Sequence, residues 1–283
     1  MEEVTDFFSG QNGRRIFYRH FPVDSEKARL VLAHGLGEHS GRYRHVIRRL
    51  SRLGISVWAP DHRGHGRSDG CRGHVTAFRH YTEDLVTLLD TAVEKSPTEL
   101  PHFLLGHSLG GLIVLYFALQ HPDRVDGVVA SSPALGVRAP VPAAKKVLGR
   151  MMSAVWPTLS LSNELEVDRI SHDAAVVAAY RNDPLVHDRV SARWYTETLE
   201  AMQYVGANAH RLTVPVLLQV AGDDYLVDAE ASRRFYAALS AEDKRLIVYE
   251  GLYHEIYNEP EPQAKAVLDD LTAWFKTRMP KAS

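Results

Sequence analysis

Gly106-His107-Ser108-Leu109-Gly110 decides the reading of this chain. It is a G-x-S-x-G motif set between two apolar stretches. His102–Leu105 before it reads as a short buried strand, and Gly111–Leu119 after it reads as an apolar helix ending near His121-Pro122. A strand that turns sharply into a helix forces the middle residue into a strained backbone conformation. Glycines on either side bring no Cβ to clash in so tight a turn. Ser108 would then stand at the end of a sheet, over a helix N-terminus whose free N–H groups favour negative charge. The motif alone occurs often by chance; its strand-and-helix context makes it a nucleophile elbow rather than a glycine-rich turn with an incidental serine.

On both sides of the elbow the chain alternates strand and helix. Asn12-Gly13 between Thr5–Gly10 and Arg14–Phe21 predicts an opening hairpin. Strands follow at Arg29–Ala33, Ile55–Ala59 and Val125–Ala130, with helices at Arg42–Leu53 and Tyr81–Lys95. From about Gly136 to Arg211 the alternation breaks and no strand is evident, while Asp173–Tyr180 and Ser191–Val205 look helical. Alternation resumes with a strand at Val214–Val220, a helix at Ala229–Leu239, a strand at Arg245–Tyr249 and a closing helix at Glu261–Lys276. This pattern predicts an α/β fold with a mostly parallel sheet of about eight strands and helices on both faces. The core is expected over 1–136 and 212–283, with a helical cap inserted at 137–211.

The 283 residues suit one large domain with an insertion. Net charge is −2, so nothing draws the chain toward nucleic acid. A single cysteine, Cys71, excludes an internal disulfide framework and fits a reducing, cytoplasmic setting. The opening Met1–Asp6 is acidic and lacks the apolar core of a signal peptide. His62 and His65, in Asp61-His62-Arg63-Gly64-His65-Gly66-Arg67-Ser68, lack partners at metal-ligand spacing and read as part of a structural loop. No dinucleotide, phosphate-loop or zinc-protease motif appears, so no cofactor or metal is implied.

A serine hydroxyl needs a base in reach, and that base needs an orienting carboxylate. In a strand–elbow–helix fold the order is serine, acid, histidine. Asp223 and Asp224 compete for the acid in the turn after Val214–Val220. Asp224 is chosen, with Asp223 as a turn residue. His254 follows the last strand, and that position selects it from 15 histidines. His107 should point beneath the turn. An oxyanion needs two N–H donors: Leu109, after the nucleophile, and Leu36, in the loop His34-Gly35-Leu36-Gly37.

These segments resemble the monoacylglycerol lipase and lysophospholipase branch of the α/β-hydrolase superfamily. His34–Tyr43 resembles its oxyanion loop. Asp61–Ser68, Gly106–Gly111 and Tyr249–Glu255 resemble three further signatures, and Asp183-Pro184-Leu185-Val186 a cap segment. The resemblance implies an α/β-hydrolase fold, a monoester of glycerol and a fatty acid as substrate, and an apolar acyl tunnel under the cap. It also implies that Glu38 and Arg42 help recognise glycerol, a surface capping pair being the alternative. Where some members place a second histidine three residues after the catalytic one, this chain has Tyr257, which is taken as a substrate-side residue. The cap segment Lys145–Trp156 is apolar with basic flanks. It could touch a lipid surface transiently, although packing inside the cap is preferred. Rival readings are a lysophospholipase or short-chain esterase, an aminopeptidase holding an amine at Glu164 or Glu166, and a binding protein using the same pocket.

Overall fold

The computed structural model describes residues 2–96, 98–138 and 143–280, without the side chains of 143–146. Ten strands form: β1 (Val4–Ser9), β2 (Arg15–Phe21), β3 (Ala28–Ala33), β4 (Ile55–Pro60), β5 (His102–His107), β6 (Gly127–Ser131), β7 (Ser160–Ser162), β8 (Arg189–Ser191), β9 (Val216–Ala221) and β10 (Lys244–Tyr249). Eight α-helices accompany them: α1 (Arg44–Ser51), α2 (Arg79–Lys95), α3 (Leu109–Gln120), α4 (Ala143–Val155), α5 (Ala174–Asn182), α6 (Ala192–Asn208), α7 (Ala229–Ala238) and α8 (Gln263–Lys276).

Eight strands make one sheet in the order β1-β2-β4-β3-β5-β6-β9-β10. β1 and β2 pair antiparallel, as do β2 and β4, and every other pairing is parallel. The opening hairpin turns through Asn12 and Gly13, both at positive φ, which Asn and Gly tolerate. The central strands β3, β4, β6 and β9 are buried along their whole length, and β5 along all but its first residue His102, as expected of strands covered on both faces. Two apolar layers result. Against one face pack α2, α3 and α6, with Leu85, Leu88, Ile113 and Val205 inward. Against the other pack α1 and α8, with Ile47, Leu50, Leu271 and Phe275 inward.

Between β6 and β9 the chain leaves the sheet through α4, β7, α5, β8 and α6. Two expectations are corrected here. First, this span contains strands: β7 and β8 form a separate antiparallel ribbon. Three residues each, serine-rich and half exposed, they are too short for a period of two to show in sequence. Second, α4 does not bury its apolar residues. Val147, Leu148, Met151, Val155 and Trp156 are all exposed. Only the other side of α4 packs, with Ser153 hydrogen-bonded to Thr196 of α6 at 2.8 Å and Gly149 against the Tyr195 ring. Lys145 and Lys146, assigned to the basic flank, lie outside the described side chains.

Candidate active site

β5 runs into α3 through Ser108, whose φ of 53° and ψ of −115° no ordinary strand or helix supplies. The neighbouring backbone explains the glycines. A Cβ on Gly106 would collide with the Gly110 carbonyl, and one on Gly110 with the Ala33 carbonyl. The turn is held by Ser108 N–H to Ser131 O at 2.9 Å and by Ala134 N–H to Ser108 O at 2.9 Å. Strain of this size persists only where surrounding contacts over-determine it.

Asp224 and His254 stand beyond the ends of β9 and β10, adjacent parallel strands whose C-terminal ends share one edge of the sheet. His254 Nδ1 and Asp224 Oδ2 are 2.6 Å apart, and both residues are buried. The other oxygen, Asp224 Oδ1, accepts from the N–H groups of Leu226 at 2.8 Å and Val227 at 3.0 Å. The carboxylate is therefore fixed from both sides. Burial drives the His254 pKa down, but the charge and hydrogen bond of Asp224, with the charges of Glu255 and Glu38, together outweigh it and hold the imidazole above its ordinary value. Burial raises Asp224 in turn, and the His254 interaction outweighs that, leaving it low. Asp223 is exposed, and the carboxylate bonded to the imidazole is that of Asp224.

His107 lies beside this pair, its ring 4.7 Å from that of His254 and its Nδ1 3.3 Å from Ser131 Oγ. Burial pushes it down to about 4, so it is neutral near pH 7.

The loop after β3 closes the opposite side. A Cβ on Gly35 would lie 3.3 Å from Ser108 Cβ, so this backbone abuts the serine. Glu38 organises the loop: its Oε1 accepts from Gly35 N–H at 2.6 Å and from Tyr43 Oη–H at 2.5 Å. Neither the Leu36 nor the Leu109 N–H donates to any acceptor among the described residues, and both residues line one cavity with Ser108. Two free amides at a helix N-terminus and a loop, beside a strained serine, suit an oxyanion.

Arg42 spans two carboxylates. It donates to Glu38 Oε2 at 2.5 Å and, through both terminal nitrogens, to Glu255 at 2.7 and 2.8 Å. Its guanidinium lies 4.7 Å over the Tyr180 ring of α5. Glu38 is thus buried and Arg42 half-buried between two carboxylates, so the two do not form a surface capping pair. Burial opposes the charged form of Glu38, but Arg42 together with the neighbouring charges and the Tyr43 hydrogen bond outweighs it and keeps the carboxyl ionised. Glu255 was not anticipated. Its only sequence signal is a carboxylate next to His254 with no lysine or arginine within one helical turn in the chain.

Tyr257 is a correction. Its ring packs with Ile256, Leu271 and Phe275, and its hydroxyl donates to Gln219 Oε1 of β9 at 2.7 Å. A 3₁₀ turn after His254 rotates it away from the cavity into the core, where it is 3% exposed. His62 and His65 pack at a tilt against His34, with ring centroids 4.2 and 5.4 Å from it, and His34 Nε2 accepts from His62 N–H at 2.8 Å. They are a buried structural cluster.

The cavity over Ser108 measures about 240 Å³. The sheet domain supplies Leu36, Leu109, Ala134 and Val227, and the inserted span supplies Leu165, Ile170, Val190, Trp194 and Met202. The lining is mostly apolar, with Ser108, His254, Glu38 and Glu255 among its polar members. Glu164 and Glu166 are exposed and do not line it.

A family model described as serine aminopeptidase S33 matches residues 24–261. A monoacylglycerol lipase of Mycolicibacterium smegmatis is 40% identical over 96% of both chains. The chain belongs to the monoacylglycerol lipase family of α/β-hydrolases. Membership makes it a carboxylic-ester hydrolase. A phospholipase of Bacillus subtilis is also similar, 34% identical over 84% of this chain and 92% of its own. The crystal structure of Paleococcus ferrophilus monoacylglycerol lipase superposes with a TM-score of 0.81 at 35% identity, covering 98% of this chain and all of that one. Among the described residues, no helix of this family member is long and apolar enough to cross a membrane.

Proposed function

We propose that this hydrolase cleaves monoacylglycerols through an acyl-enzyme, with 137–211 roofing the acyl chain. Ser108 attacks the ester carbonyl while His254 takes its proton. Asp224 stabilises the resulting imidazolium, and the N–H groups of Leu36 and Leu109 hold the oxyanion. His254 then gives its proton to the leaving glycerol, and a water activated by the same imidazole releases the fatty acid. The observation that carries this reading is the His254–Asp224 pair opening, with Ser108, onto one largely apolar cavity.

The alcohol side favours a neutral leaving group. Glu38, Glu255 and Arg42 sum to one negative charge beside His254, which repels a phosphate and tolerates glycerol. An amino-acid amide is disfavoured too, because both oxygens of Glu38 and of Glu255 are already engaged. Arg42 and Glu38 act by fixing the loop that presents Leu36. The exposed face of α4, with Val147, Met151 and Val155 four residues apart, would rest on a lipid surface while substrate enters.

The test is steady-state hydrolysis of monoacylglycerols, lysophosphatidylcholine and p-nitrophenyl esters of graded length, with Ser108→Ala as control. A monoacylglycerol preference that falls by roughly 10⁴-fold or more in the variant is expected. Preference for lysophosphatidylcholine would favour the phospholipase reading. An active Ser108→Ala protein would remove the nucleophile assignment.

A further inference from the structure

The cavity wall contributed by α6 carries a hydroxyl that packing does not explain. Thr198 is 3% exposed and lines the cavity. Every other threonine in a described helix returns its hydroxyl to a backbone carbonyl three or four residues earlier: Thr82, Thr87, Thr91, Thr196 and Thr272, at 2.8 to 3.1 Å. Thr198 makes no such bond, and its Oγ1 is buried without a partner among the described residues. Tyr195, one turn earlier on the same helix, has its hydroxyl in the same condition. So has the Nδ2 of Asn163, in the loop that follows β7. All three residues line the cavity that holds Ser108.

The surroundings make these atoms costly. Val190, Met202 and Leu165 line the same cavity, so there is little else for a hydroxyl to bond. Valine has nearly the shape of threonine and would fill the site without the cost of an unmade hydrogen bond. The three groups offer donors from Asn163, Tyr195 and Thr198 and acceptors from the two hydroxyls. None is charged, so their counterpart is a neutral oxygen rather than a carboxylate or phosphate.

We propose that Thr198, with Tyr195 and Asn163, forms a polar subsite for a hydroxyl or keto oxygen carried part-way along the acyl chain. The substrate class is then an ester of an oxygenated fatty acid. The proposal rests on Ser108 as the nucleophile, since that fixes where the acyl chain begins. The apolar character of this wall assigns the oxygen to the chain. A glycerol hydroxyl has the same chemistry, and the experiment separates the two sources.

The measurement is kcat/KM for p-nitrophenyl decanoate, for p-nitrophenyl decanoates hydroxylated at successive positions, and for monodecanoylglycerol. It uses wild type, Thr198→Val and Thr198→Ser. The p-nitrophenyl series holds the leaving group constant and free of hydroxyls. Wild type should prefer at least one hydroxylated chain over the plain chain by about fivefold or more. Thr198→Val should bring that ratio close to one, and Thr198→Ser should restore it. No hydroxyl preference in wild type, or a ratio unchanged in Thr198→Val, overturns the subsite. A valine effect confined to monodecanoylglycerol overturns it in favour of the alcohol side. A uniform loss for all esters overturns it in favour of a purely structural threonine. A wild type inert toward every ester overturns the nucleophile reading itself, whereas turnover without hydroxyl preference overturns the subsite alone.

Discussion

In the proposed mechanism His254 must be neutral to take a proton from Ser108, and Asp224, by its charge and its hydrogen bond, helps to hold it protonated to a higher pH than a free histidine. The acid limb of the kcat/KM–pH profile is therefore expected above the ordinary value of 6.5. Glu255 and Glu38 add to that upward pull. Glu255→Gln removes one negative charge while keeping an acceptor for Arg42, so the limb should move to lower pH; a limb that stays put would discount the charge. At the elbow, Gly110→Ala forces a methyl into the Ala33 carbonyl and should cost more than ~3 kcal/mol in denaturant unfolding. Much of this site was legible, because Ser108, Asp224 and His254 follow strand ends, and strand ends can be read from apolar periodicity. Glu255 was not, since its partner Arg42 is 213 residues away in sequence. Tyr257 misled because spacing from His254 says nothing about a 3₁₀ turn that rotates the side chain inward.

Elements tell a similar story. Long strands and amphipathic helices were legible, whereas β7 and β8 lie below the length at which alternation has meaning. The fate of α4 was not legible either: an apolar stripe looks the same whether it meets a core or a lipid surface. Its exposure leads to a measurement. Val155 is 77% and Val147 66% exposed, so Val147→Glu/Val155→Glu should weaken sedimentation with phosphatidylcholine vesicles by at least tenfold while hydrolysis of a water-soluble ester holds. A second element-scale device joins the span after β7 to both loops of the His254–Asp224 pair. Arg169 donates to Tyr253 Oη at 2.8 Å, and its guanidinium lies 4.4 Å over the Tyr225 ring. These tyrosines flank His254 and Asp224 in sequence. Arg169→Ala should lower kcat on soluble esters a few-fold, the scale of one exposed cation–π contact and one hydrogen bond, with little change in Tm.

Across the whole molecule, the histidines set the response to acid. Burial lowers His34, His62 and His65, and takes His20, His107 and His187 down to about 4. An unfolded histidine titrates near 6.5, so between 6.5 and 4 the unfolded chain binds protons that the folded chain refuses. Stability is untouched above 6.5 and falls as pH drops through that window, by up to ~1.4 kcal/mol per pH unit for each such group. His254, raised rather than lowered, opposes this as one group against several. Unfolding free energy from urea titrations should therefore fall by several kcal/mol between pH 7 and pH 5. A flat profile would contradict the buried neutral cluster.

The helix α6 has two allegiances. Ala201, Val205 and Ala209, at its end and just beyond, join the apolar core beneath α3, and through this helix the chain returns from β6 to the neighbouring strand β9. Trp194, Thr198 and Met202 of the same helix line the cavity over Ser108. Under the proposed function, selection on acyl preference is therefore unevenly constrained across the cavity wall. Substitutions in the loop after β7, whose half-buried Asn163 and Leu165 line the cavity, can drift at little thermodynamic risk. Substitutions on α6 that retune the ligand also tax the crossover on which the sheet depends. Lineages of this fold should accumulate their changes of diet first in the former and only later, with compensating changes under α3, in the latter.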